Sequence, residues 1–224
     1  MKKCISVLVL LAIVAGSAFA LDLSAGGGLL FDVAARNGLE IDTIGMDGYA
    51  GIRNIDIGGF LFFDATYAEL DFYFAYGVVK DVIEKDAKGY IDSGYLNGSM
   101  VQLGFSLVGK HPFELGKVTV FPLAGISYNI VLSYKNDSGV KVEDWTAALG
   151  SDVKASHFSQ FGFLFGAGLD VNLTSSLFLR SELAIQIRLP TKGMKTMNHD
   201  AVDGYGDTTV GLGPRFKLGV GYKF

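Results

Sequence analysis

The chain has 224 residues, half of them apolar and only 19% charged, which excludes a disordered chain and sets a single domain as the expectation. Its formal net charge of −4 implies no anionic partner such as nucleic acid. Mean hydropathy is +0.35, yet only one run is long and apolar, so a membrane protein built from helices is excluded as well.

That run opens the chain. Lys2 and Lys3 precede an apolar stretch over 5–14, and small residues follow up to Ala18-Phe19-Ala20. A basic head, an apolar middle and a small-residue end make a secretory signal, with cleavage expected after Ala20. Cys4 is the single cysteine and lies ahead of the apolar run, not where a lipidated cysteine would stand. The expected mature domain, 21–224, therefore lacks cysteine, which excludes a disulfide framework and thiol catalysis.

From residue 21 onward apolar residues recur at every second position, the period of a β-strand. A first strand covers 21–33. The next, 57–63, carries apolar residues on both faces around Phe60 and Phe62. Leu70, Phe72, Phe74 and Tyr76 alternate with Glu69, Asp71, Tyr73 and Ala75, and Val101, Leu103, Phe105 and Leu107 with Gln102, Gly104 and Ser106. The stretch 118–132 is again apolar on both faces, around Phe121 and Leu123. Phe161, Phe163, Phe165, Ala167, Leu169 and Val171 follow, then Leu177, Leu179, Leu183, Ile185, Ile187 and Leu189. The last strand, 210–224, alternates throughout and completes eight. Short connections at 64–66, 111–117 and 174–176 alternate with long ones at 34–51, 79–97, 133–157 and 190–206, which puts both termini at the short-turn end.

One phase of these strands is almost free of charge, whereas the other holds Gly, Ala, Ser and scattered charges. That second phase is too small and too sparsely charged to face water, but it suits a crowded interior. A soluble calyx would have the reverse arrangement. The expectation is an all-β fold: an eight-stranded antiparallel transmembrane up-and-down barrel with short periplasmic turns and four long outer loops. Closure is required because hydrocarbon offers no partner to a strand edge. Glycines at spacing two, such as Gly162, Gly166 and Gly168 or Gly211, Gly213, Gly219 and Gly221, then pack a narrow lumen, which explains a total of 30. Aromatic belts are expected at the two interfaces, from Phe63, Tyr67, Tyr222 and Phe224 at the short-turn end and Tyr76, Tyr134, Phe158 and Tyr205 at the other.

The signal, the eight strands and the terminal Tyr222-Lys223-Phe224 resemble the small eight-stranded outer-membrane barrels of OmpA, OmpX and OmpW type, over the whole mature chain. The resemblance implies a monomer in the outer membrane of a diderm bacterium, in contact with outer-membrane lipid. It also implies that Tyr222 and Phe224 act as an assembly tag for the barrel-insertion machinery. OmpW-like members add an alternative role, a porin-like narrow channel for small solutes or a gate for small apolar molecules, with Leu30, Phe60, Phe62, Phe121, Leu123 and Phe178 as inward candidates.

On the inward phase the sequence places Asp22, Asp32, Asp56, Glu69, Asp71, Asp170 and Glu182 against Arg180, Arg188, Arg215, Lys217 and Lys223. Closure brings the last strand beside the first, and the turn at 174–176 sets Asp170 opposite or diagonal to Arg180. Charges withdrawn from water must pair, so a salt-bridged plug is expected, with a charge-selective pore as the alternative. The outer loops are expected to carry recognition of an extracellular ligand or host molecule. Short helices are expected over 79–88 and 142–149, the latter bearing Trp145 as a contact candidate. Met194, Met197, His199 and Asp200 match no metal-site spacing, and no metal or other cofactor is expected. No G-x-S-x-G, HExxH, phosphate-loop or dinucleotide motif occurs. His157 with Ser156 and Ser159 is the nearest approach to a catalytic set, His111 reads as a loop residue, and the expected function is non-enzymatic.

Overall fold

The computed structural model describes residues 22–43, 46–84, 97–147, 152–192 and 210–224. The export segment expected over 1–20, together with Met194, Met197, His199, Asp200 and Tyr205, lies outside them. The chain forms β1 (Leu23–Thr43), β2 (Met46–Ala65), β3 (Ala68–Glu84), β4 (Gly98–Lys110), the short β5 (Phe113–Leu115), β6 (Val118–Asn136), helix α1 (Val142–Ala147), β7 (Gln160–Asn172), β8 (Leu177–Arg188) and β9 (Gly211–Lys223). A single 3-10 turn, Ala155–Phe158, precedes β7.

Eight of the strands close on themselves, every neighbouring pair being antiparallel. Closure is made by β1 and β9, through pairs such as Leu29 with Leu218 and Asp32 with Arg215. Phe224 donates its backbone N–H to Leu23 O at 3.0 Å, so the two ends of the barrel sequence meet. β5 continues β4 beyond Lys110 and pairs with the start of β6; the short connection expected over 111–117 therefore holds three residues of strand.

Side-chain alternation separates two environments. Leu218 is 48% exposed and its neighbour Lys217 only 5%; Ile185 is likewise exposed while Glu182 and Arg215 are buried. Apolar side chains thus form the outer wall, and the glycine-and-charge rows fill the lumen. Such a wall is stable only against hydrocarbon, since monomeric proteins in water do not expose apolar surface on this scale. Strands of 12 or 13 residues in β4, β7, β8 and β9 suffice for a crossing that takes about 9–11 residues.

Three glycines show why this residue is so abundant. In the register Tyr73 faces Gly104, Phe121 faces Gly168 and Phe178 faces Gly221. In each pair the ring lies where a Cβ on the glycine would stand. A narrow lumen takes a large ring only if its cross-strand partner gives up its side chain.

The structure departs from the sequence reading in several places. β1 has 21 residues, β2 20 and β3 17, so most of 34–51, expected as loop, is strand. The same holds for 79–84, expected as helix. Outside a bilayer neither face of a strand must be apolar, and the alternation that marks strands lapses while the ladder continues. α1 does form within 142–149, carrying Trp145, whose side chain lies outside the described ones. Phe63, Tyr67, Tyr222 and Phe224 are exposed at the short-turn end, as is Tyr76 toward the other. Tyr134 and Phe158, however, are buried and belong to no belt. An extra residue, Leu132, interrupts the pairing of β4 with β6 and reverses the phase beyond it, turning Tyr134 inward.

The wall assignment makes a quantitative demand. Leu218→Arg is expected to lower stability by about 2–4 kcal/mol, measured as the shift in urea unfolding from lipid vesicles.

Candidate functional site

The lumen is the candidate site. Among the described residues it buries seven acids, Asp32, Asp56, Asp64, Glu69, Asp71, Asp170 and Glu182, and five bases, Lys110, Arg180, Arg188, Arg215 and Lys217. They fall into two groups.

Toward the short-turn end Arg180 is the hub. Its Nε and Nη2 donate to the two oxygens of Asp170 at 2.7 and 2.6 Å, the residue directly opposite it in the β7–β8 register. Nη2 also donates to Asp64 at 2.6 Å and Nη1 to Glu69. Lys110 donates to Asp64 and, at 3.3 Å, to Glu69. One turn of the lumen further in, Lys217 Nζ donates to Glu69 and Asp71, both at 2.9 Å, and pairs with Glu182. Ser106 adds a hydroxyl donor to Asp71 at 2.6 Å. Aromatic rings pack around the cations: the Arg180 guanidinium lies 4.5 Å from the centre of Phe62 and 5.1 Å from that of Phe178, and Lys110 lies 4.4 Å from that of Phe121. Ring faces carry partial negative charge, so Phe62, Phe121 and Phe178 exclude water while still solvating the cations.

Nearer the middle, seven residues close a ring across the lumen. Arg215 donates through Nε to Asp32 at 3.0 Å and through Nη2 to the Tyr73 hydroxyl at 3.0 Å. Tyr73 donates to Asn129, Asn129 to Gln102 at 3.3 Å, and Gln102 to Asp56 at 2.6 Å. Arg188 returns the circuit by pairing with Asp56 at 3.8 Å and Asp32 at 2.6 Å. Every barrel strand except β7 contributes one member. Gln186 on β8 donates to Ser127 on β6 at 2.6 Å, a further strut across the interior.

A third layer lies at the long-connection end. Val142, Val153, Ala155 and Phe158, from the segment between β6 and β7, pack against Val79, Val131 and Tyr134 on the inner faces of β3 and β6. Phe158 meets Tyr134 edge to face, with centroids 5.0 Å apart. Glu143 holds this cap together by accepting the Ala155 N–H at 2.9 Å.

Two expected members of the charge network lie elsewhere. Asp22 is exposed ahead of β1, and its backbone N–H donates to Thr66 Oγ1 at 3.0 Å. Lys223 is half-buried at the rim, donating to Asn172 at 2.8 Å. Both stand at the ends of their strands, past the enclosed part of the lumen. Asp64 and Lys110 take their places. The even phase through Phe60 and Phe62 continues to Asp64, and that through Gln102 and Ser106 to Lys110, a signal that goes unread when Asp64 is assigned to a turn and the alternation is followed no further than Leu107. His157 Nδ1 accepts the Lys154 N–H at 3.3 Å and Ser159 Oγ the Val131 N–H at 3.2 Å; each is engaged by backbone rather than by the other. His111 stacks on Tyr67 and meets Phe113 edge-on, with centroids 5.9 and 4.9 Å away.

A closed eight-stranded sheet with a hydrocarbon-facing wall and a polar lumen is a small barrel of the bacterial outer-membrane type. The crystal structure of the outer membrane protein OprG from Pseudomonas aeruginosa shares this fold: 14% identity over 91% of this chain and 96% of that one, with a TM-score of 0.50. Neisserial surface protein A gives 11% identity over 90% and 97% of the two chains and a TM-score of 0.45. Ail, the attachment invasion locus protein of Yersinia pestis, gives 12% over 91% and 99% and a TM-score of 0.34. No protein-family model matches the chain, and neither does any curated protein sequence.

Lys217 is bonded to three carboxylates, so its removal strands charge in a dry interior. Lys217→Met is expected to cost about 3–5 kcal/mol in urea unfolding from vesicles. Adding Asp71→Asn and Glu182→Gln, which remove the stranded charges, is expected to restore part of that loss.

Proposed function

We propose that the protein is a non-enzymatic, monomeric outer-membrane barrel that acts as a structural element and as a surface for interaction with an extracellular ligand or host molecule. Export by the segment 1–20, cleavage after Ala20 and recognition of Tyr222 and Phe224 by the barrel-insertion machinery belong to the same proposal. Both aromatic residues point outward at the end of β9, and their rings lie 5.5 Å apart, available to a partner in the membrane or at its surface.

The observation that carries this reading is the filling of the lumen. Arg180 with its carboxylate neighbours Asp64, Glu69, Asp170 and, at 3.9 Å, Glu182, the ring from Asp32 to Arg188 and the cap on Tyr134 form three layers along the axis. A solute crossing the barrel would have to break buried ion pairs whose partners have no water to replace them. With the axis filled in this way, the parts left for an exchangeable partner are the outer wall and the connections at the long-loop end. The tall β1–β3 sheet and the capped segment between β6 and β7 give those connections a rigid base, the arrangement on which binding loops are usually mounted.

The competing reading is a narrow, charge-selective channel. Planar-bilayer recording of the refolded protein decides between them. The expected result is no reproducible conductance. Conductance that changes with Arg215→Ala or Asp32→Ala would reject the sealed barrel in favour of the channel.

A further inference from the structure

The outer wall is not uniform. Two rows of outward side chains run side by side across the sheet, Leu61–Phe72–Phe105 in one and Phe74–Leu103–Ile130 in the other, each in direct cross-strand register. The row between them turns its side chains into the lumen, Tyr73 among them, and leaves only backbone at the outer surface. At the β1–β2 end each row carries one glycine, Gly27 on β1 in the first and Gly59 on β2 in the second, which lowers its bank at that point, while Leu29 opposite Gly59 ends the second row. The result is a groove of about 710 Å³ on the outer wall, lined by these rows and without a charged residue.

Its position identifies what can fill it. Gly59 lies four residues from Phe63 and Phe74 two residues from Tyr76, the exposed aromatics of the two belts, so the groove sits within the hydrocarbon-facing band and is continuous with it. Crossing β1, β2, β3, β4 and β6 at about 4.8 Å per strand gives a length of about 19 Å. Slanted with the rows, that length spans roughly one leaflet of a core about 30 Å thick. The groove is narrow and concave, whereas the wall of a second barrel is convex and could not fill it.

We propose that this groove is a lipid site: it holds one acyl chain of a membrane phospholipid, retained by the barrel rather than exchanging freely with its surroundings. Phe72, Phe74 and Phe105 stand as rigid sides to the chain, and Gly59 leaves the opening through which it lies against the backbone of β2.

The test counts retained lipid. The full chain is refolded into phosphatidylethanolamine–phosphatidylglycerol vesicles, extracted in mild detergent and washed, and phospholipid per barrel is measured by mass spectrometry. Gly59→Leu grows a side chain into the groove; a Cβ there meets nothing nearer than Gly28 O at 3.6 Å. Leu103→Trp fills the groove from the same bank two strands further along, and Ala167→Leu adds comparable bulk to the wall of β7 as a control. Cold-detergent gel mobility establishes that each variant is folded. Wild type and Ala167→Leu are expected to keep a stoichiometric phospholipid that Gly59→Leu and Leu103→Trp lose. Equal retention in all four proteins, or none in wild type, would overturn the proposal. So would a cross-linked dimer that Gly59→Leu abolishes, which would assign the groove to a second copy of the chain.

Discussion

In hydrocarbon a backbone N–H has no solvent to bond, and this one constraint organises the molecule. A strand that enters the bilayer must be paired on both edges, so the sheet closes and β9 returns to β1. Closure then divides every strand into an outer face that meets lipid and an inner face that meets seven other strands at close range. The apolar wall, the glycines beneath Tyr73, Phe121 and Phe178, and the enclosed charges are all consequences of that division.

The enclosed charges have a role beyond mutual neutralisation. Buried ion pairs are weak evidence for stability, because removing both partners from water costs about as much as their attraction returns. They are stronger determinants of register. A slip of one residue in β9 would turn Arg215 and Lys217 to the lipid and Leu218 to the lumen, leaving Asp71 without its cation and Asp32 and Glu69 each short of one. Arg180 acts in the same way on β8, since its bonds to Asp170, Asp64 and Glu69 tie three other strands to one alignment. The polar lumen therefore discriminates between alternative closures that the apolar wall alone would tolerate.

Much of this was legible in the sequence because lipid and lumen impose opposite chemistry on successive residues. From 210 to 224 the alternation is unbroken, and the inward placement of Arg215 and Lys217 follows from phase alone. Phase is less informative where an environment ends or the ladder is irregular. Asp64 and Lys110 stand next to turns, where residue type suggests a connection, although both still face the lumen. Leu132 adds a residue to β6 that no local signal announces, and Tyr134 changes sides with it. The upper parts of β1 and β2 stand clear of the bilayer, so their strand character left no apolar period to read. The cross-lumen ring from Asp32 through Tyr73, Asn129 and Gln102 depends on which strands face one another across the interior, and that geometry appears only once the barrel has closed.

The unequal height of the strands bears on how the cell surface is attacked. A protease takes its substrate as extended, unpaired chain, so a peptide bond already held in a ladder is shielded until that ladder opens. β1 and β2 remain paired with each other as far as Thr43 and Met46. That side of the barrel stands as a stiff post, hard to shave from intact cells and fixed in orientation toward whatever approaches from outside.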